Sequence, residues 1–93
     1  MKVLFEEEGS KGRAYIKNSE SNIAEMTFSK AGYQLLIIDH TEVDETMQGK
    51  GLGRMLLDRI VAHTRENQLK VLPLCPFAKS VFEKDASIRD VLR

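Results

Sequence analysis

The chain predicts an α/β (α+β) fold: a mixed sheet made of an antiparallel meander of four strands, then a strand–helix–strand crossover, then a short C-terminal helix. Three observations carry this. Short apolar-led runs separated by turn residues occupy the first 43 positions. One run, Tyr33 to Val43, is apolar on both faces. Glycines, a helical apolar stripe and a second apolar run then follow in that order.

Val3 to Glu7 reads as the first strand, closed by the turn Gly9-Ser10-Lys11-Gly12. The acidic run Glu6 to Glu8 reads as a solvated strand end. Arg13 to Lys17 alternates, with Ala14 and Ile16 facing one way and Tyr15 the other. Asn18 to Asn22 is turn chemistry. Ile23 to Ser29 sets Ala24, Met26 and Phe28 on one face, and Lys30-Ala31-Gly32 is the expected turn into the fourth strand. In that strand Leu35 and Ile37 oppose Leu36 and Ile38, which predicts a central strand buried on both sides. Its far end is polar, and His40 and Glu42 share a face. Leu52, Met55, Leu56 and Ile60 form a stripe that predicts one helix from about Gly51 to about Asn67. Leu69 to Leu74 is a second apolar strand, so strand–helix–strand predicts a parallel pair with a right-handed crossover. Phe77 to Lys84, and then Ser87 to Leu92, read as short helices.

Length and charge bound the function. Ninety-three residues fit a single domain spanning 1–93. Fourteen basic and 14 acidic residues cancel, which argues against a partner held by phosphate attraction and against a polybasic membrane anchor. The expectation is no nucleic acid and no membrane, with the open, neutral surface allowing a monomer. Cys75 is the only cysteine, so no intrachain disulfide forms, as suits a cytoplasmic protein. The apolar start MKVLF is broken at once by three glutamates, unlike a signal peptide or membrane span.

Gln48-Gly49-Lys50-Gly51-Leu52-Gly53 lies between the fourth strand and the long helix. Glycines let a backbone approach an anion closely, and the first N–H groups of a helix lack intrahelical partners at the positive end of its dipole. A pyrophosphate is favoured there, with Lys50 adding charge, and Gly53 one turn in lets a ligand or the sheet come close. A tight turn with close helix–sheet packing would use the same glycines. The loop is neither a P-loop, since Arg54 follows Gly53, nor a dinucleotide fingerprint, since it follows the fourth strand of a meander.

The run Gln48-x-x-Gly51-x-Gly53 resembles the acetyl-CoA signature of the GNAT superfamily. Its flanks, His40-Thr41-Glu42-Val43 and Val71-Leu72-Pro73-Leu74-Cys75-Pro76-Phe77, resemble those of small stand-alone GNAT-like N-acetyltransferases with a cysteine ending the fifth strand. The resemblance implies acetyl-CoA as cosubstrate and no metal. It implies a pantetheine arm between splayed fourth and fifth strands, along Thr41 to Val43 with the Val43 backbone as partner. The pyrophosphate would lie on Gln48, Gly49, Lys50, Gly51, Leu52 and Gly53 beside Arg54, and the thioester would end near Cys75, where Pro73 and Pro76 curtail normal pairing. The acceptor is an amine, of a size up to a protein or peptide, because the helices and extra strands that build the acceptor side of longer GNAT domains have no counterpart here.

His40 and Glu42 are candidate bases for that chemistry. Cys75 has two roles open to it: a nucleophile giving an acetyl-cysteine, or the acid that protonates departing CoA. Many GNAT enzymes use a tyrosine for the acid, and here the helix after the fifth strand holds Phe77 and Phe82 but none. A small buried hydrophobe is the third reading of Cys75. His63, without a metal partner at ligand spacing, reads as structural. Two functions from different classes remain: an acetyl-CoA-dependent N-acetyltransferase, and a non-catalytic acyl-CoA-binding or interaction module on the same fold.

Overall fold

A computed structural model describes residues 1–93. Five strands form one sheet in chain order: β1 (Leu4–Glu8), β2 (Lys11–Asn18), β3 (Ser21–Ala31), β4 (Leu35–Val43) and β5 (Lys70–Pro73). The first four pair antiparallel, and β5 runs parallel to β4. Helix α1 (Leu52–Glu66) links β4 to β5, and α2 (Pro76–Lys84) and a 3-10 turn (Ala86–Val91) follow. The expected architecture is therefore present. No helix is long and apolar enough to cross a membrane.

The core lies on one side of the sheet. Ala14, Ile16, Ala24, Met26, Phe28, Leu36 and Ile38 are buried against Leu56, Leu57, Ile60 and Val61 of α1. Each large aliphatic side chain buried in this way contributes roughly 1.5–3 kcal/mol relative to exposure. Thr64, the one buried polar residue, donates its hydroxyl to Ile60 O at 2.7 Å, so its polar atom is satisfied.

Three local expectations change. First, β4 is paired on both edges but buried on one face only. Leu36 and Ile38 are fully buried, whereas Leu35 and Ile37 are half-buried, because no helix covers the second face. Second, β4 starts at Leu35. β3 continues through Ala31, and Tyr33, fully exposed, sits in the turn itself. Third, β4 carries a bulge: Ile38 pairs with Phe28 and His40 with Thr27, leaving Asp39 as the extra residue. Beyond the bulge Thr41 and Val43 continue the core face, opposite Met26 and Ala24. His40 and Glu42 take the open face, opposite Thr27 and Glu25.

One carboxylate, Asp85, ties α2 to the rest of the fold. Asp85 follows α2 and accepts from Ser87 N at 2.9 Å and Ser87 Oγ at 2.6 Å, and from Arg54 Nη2 on α1 at 2.6 Å. The Ser87 hydroxyl, then Arg54, hold its carboxyl down at about 2, against an ordinary 3.8. A lowered carboxylate pKa stabilises the fold above the unfolded value, and that contribution disappears as pH falls through the folded one. Asp85→Asn is therefore expected to lower the melting temperature at neutral pH. The difference from the parent should shrink between about pH 4 and pH 2, and thermal melts across that range would reveal it. A constant difference at every pH would contradict the assignment.

Candidate functional site

The site begins where β4 and β5 stop pairing. Their ladder runs from Leu35–Lys70 to Ile38–Pro73 and ends. The next two N–H groups, of Leu74 and Cys75, both donate to Ile38 O, at 3.0 and 3.2 Å. Pro73 brings no donor, and Pro76 opens α2, so β5 turns away into the helix. Residues 39–43 of β4 are left without a strand on that edge.

The chain then forms a tight turn. Asp44 accepts from Thr46 N at 2.9 Å and Thr46 Oγ1 at 2.7 Å, and a 3-10 turn spans Glu45–Met47. The Thr46 hydroxyl and N–H hold the Asp44 carboxyl below its usual value. Gly49 and Gly51 adopt φ of 79° and 78°, the left-handed region that disfavours side chains. Gly51 caps α1 without a side-chain hydrogen bond. The backbone N–H groups from Gln48 through Arg54 consequently find no acceptor in the protein, and the first bond of the helix is Met55 N to Gly51 O at 3.2 Å.

These N–H groups border a groove of about 430 Å³ lined by Thr41, Val43, Met47, Gln48, Gly49, Gly51, Leu52, Gly53, Arg54 and Phe77. Most of the residues singled out in the sequence for cofactor binding meet here. Lys50 is exposed and lies outside the lining. Arg54 contributes to the wall, but its guanidinium is engaged by Asp58 at 2.8 Å and Asp85 at 2.6 Å, which raises its pKa. Gln48 reaches back to Val43 O at 3.4 Å, closing the loop onto the end of β4. Gly53 is small because of a protein neighbour: a Cβ there would lie 2.8 Å from the Phe77 ring. Sequence reasoning passed over Met47, and it noted Phe77 in the helix after the fifth strand without assigning it to the groove wall. The Pro76-Phe77 pair at a helix start, three positions after Pro73, was the available signal for Phe77.

The candidate catalytic residues fall into two groups. Cys75, 4% exposed, sits at the N-cap of α2, with its Sγ 2.9 Å from Thr41 Oγ1 at the end of the groove. His40 and Glu42 pair at 3.1 Å on the opposite face, both well exposed. The bulge at Asp39 is what separates them. Without it, alternation would put His40 and Glu42 on the face of Ile38. No cluster of three or more His, Cys, Asp or Glu side chains is arranged to hold a metal. His63 packs instead against the Phe5 ring, with centroids 4.6 Å apart, and lies 3.6 Å from Glu7.

The fold that carries this site is shared with known proteins. The profile of the GCN5-related N-acetyl-transferase family matches residues 13–91. The chain belongs to this family. A solved structure from Staphylococcus aureus, described as a candidate GCN5-like N-acetyltransferase, is 37% identical with a TM-score of 0.76, covering 97% of this chain and 87% of that one. The ribosomal-protein-alanine N-acetyltransferase of Brucella melitensis biovar Abortus 2308 shares the fold at 16% identity and a TM-score of 0.69, covering 83% of this chain and 62% of that one. A GNAT-family protein of Bacteroides thetaiotaomicron does so at 12% identity and 0.52, covering 82% and 44%. None of the curated proteins matches this chain. The chain thus has the GNAT fold and belongs to an acetyltransferase family.

Proposed function

We propose that this chain transfers an acetyl group from acetyl-CoA to an amine. The supporting observation is the run of unpartnered N–H groups from Gln48 to Arg54, opening on a groove that leads to the parting of β4 and β5. Amides at a helix N-terminus suit a pyrophosphate, and the free edge of β4 at Thr41 to Val43 suits an extended pantetheine arm. Bound acetyl-CoA supplies the activated acyl group. Lys50, free of the groove wall, is positioned to meet the outer phosphates as a flexible cation.

The acceptor approaches from the other side of the sheet. That face has no helix over it and leaves room for an amine as large as a peptide. There the His40–Glu42 pair takes the proton the amine must lose. Cys75, buried and hydrogen-bonded to a neutral hydroxyl, serves as the proton source for departing CoA in a direct transfer. A lone free thiol goes with a cytoplasmic setting.

The test is a calorimetric titration with acetyl-CoA, followed by CoA release over a panel of amines that includes lysine peptides. Binding and amine-dependent release are expected. His40→Ala and Glu42→Gln should each lower kcat by about 10²-fold and leave acetyl-CoA affinity unchanged. No binding would overturn the reading. Binding without release across the panel would favour the non-catalytic acyl-CoA-binding module.

A further inference from the structure

We infer that the Thr41 hydroxyl, backed by the Cys75 thiol, is the group that hands the proton to the departing sulfur. The inference rests on the transferase reading above and names a residue role within it. Thr41 lines the groove, whereas Cys75, almost wholly buried, stands behind it at 2.9 Å. A proton leaving the thiol toward the groove therefore meets the Thr41 oxygen first.

The remaining groove side chains leave no other ready donor. Gln48 Nε2 is turned to Val43 O, and the Arg54 guanidinium is held by Asp58 and Asp85. Val43, Met47, Leu52 and Phe77 carry no acidic proton. Thr41 reaches this place through the Asp39 bulge, which turns it onto the core face, and its branched Cβ restricts the hydroxyl to few rotamers. A hydroxyl has one proton and two acceptor lone pairs, so Oγ1 can accept the Cys75 S–H and still point its own proton into the groove.

The balance is as follows. The amine nitrogen bonds to the acetyl carbon and the C–S bond breaks. The sulfur takes the Thr41 Oγ1 proton, and Oγ1 takes the Cys75 Sγ proton. Water returns a proton to Cys75, while the proton lost by the amine passes to the His40–Glu42 pair and on to solvent. The net products are the amide and CoA thiol.

Two measurements test this, one independent of turnover. Cys75 is the only thiol, so the protein has a single S–H stretching band. That band should lie lower in the parent than in Thr41→Val, which loses the acceptor while keeping the branched shape. Equal bands would overturn the inference. In CoA release, Thr41→Val should lose about 10²-fold in kcat with little change in the KM for acetyl-CoA, and Thr41→Ser should restore most of it. Cys75→Ala should match Thr41→Val, and the double variant should lose no more than either, since the two act as a unit. Full kcat in a folded Thr41→Val, with a parent that turns over, would refute the relay and leave the transferase reading standing. A parent that binds acetyl-CoA but never releases CoA would remove both.

Discussion

Replacing Gly49 and Gly51 together with valine is expected to weaken acetyl-CoA binding by roughly 30- to 700-fold. Both residues sit at φ near +80°, where a side chain costs about 1–2 kcal/mol per residue. A Cβ added at either position meets no protein atom within 4 Å, so the cost lies in the backbone rather than in a Cβ clash. The free variant is expected to relax the turn instead, displacing the N–H groups of residues 48–54. Binding would then have to restore the strained turn, at about 2–4 kcal/mol, and each 1.4 kcal/mol is tenfold in affinity. Calorimetric titration reads this directly. Gly9→Val is the control, since Gly9 has φ of 63° and also faces open space but lies in the β1–β2 turn. Its affinity should match the parent. Parent-like affinity in the double variant would mean that the amide row does not hold the ligand.

The glycine loop could be read ahead of the structure because its chemistry is local. Turn type, helix start and free amides all follow from residues adjacent in the chain. The same holds for the one-sided patterns of β2 and β3, where Ala14, Ile16, Ala24, Met26 and Phe28 are buried as their alternation requires. Burial of Leu35 and Ile37 was not legible. An apolar second face tells what a strand tolerates, and only the course of the rest of the chain tells whether a helix covers it. The candidate catalytic residues suffered from a different limit. His40, Thr41, Glu42 and Cys75 were all identifiable as residue types, and His40 and Glu42 do share a face. Their division between two faces depends on one extra residue, Asp39, facing no partner on β3. Nothing in the alternation of β4 alone marks a bulge, because the mismatch exists only relative to the register of the neighbouring strand. That single residue sets Thr41 on the side of Cys75 and the groove, and His40 and Glu42 on the open face.

The largest effect on stability is expected at Gly12, a glycine whose φ is ordinary. A methyl group at Gly12 would lie 2.7 Å from Phe28 Cε1, nearer still to Cζ, and 2.9 Å from Glu6 O. Neither neighbour yields easily. Phe28 is fully buried and stacked on Phe5 with centroids 5.5 Å apart, and Glu6 belongs to a strand paired with β2 at Arg13. Gly12 pairs with Phe28 across the β2–β3 ladder and with Glu7 on β1, so a shift at this point disturbs two ladders at once. Overpacking of a rigid core typically costs about 1–3 kcal/mol, and the backbone contact here puts Gly12→Ala at the upper end. In a domain of this size, each kcal/mol lowers Tm by about 4–8 °C, so a drop on the order of 10–20 °C is expected. Urea unfolding should show the loss as a lower midpoint with an unchanged slope. Phe28→Leu costs stability alone, but combined with Gly12→Ala it should cost less than the sum, because the shorter side chain vacates the space that the methyl takes. Strict additivity of the two, or a Tm for Gly12→Ala equal to the parent's, would show that the ring is free to move aside and that Gly12 is not what lets β2 pass under Phe28.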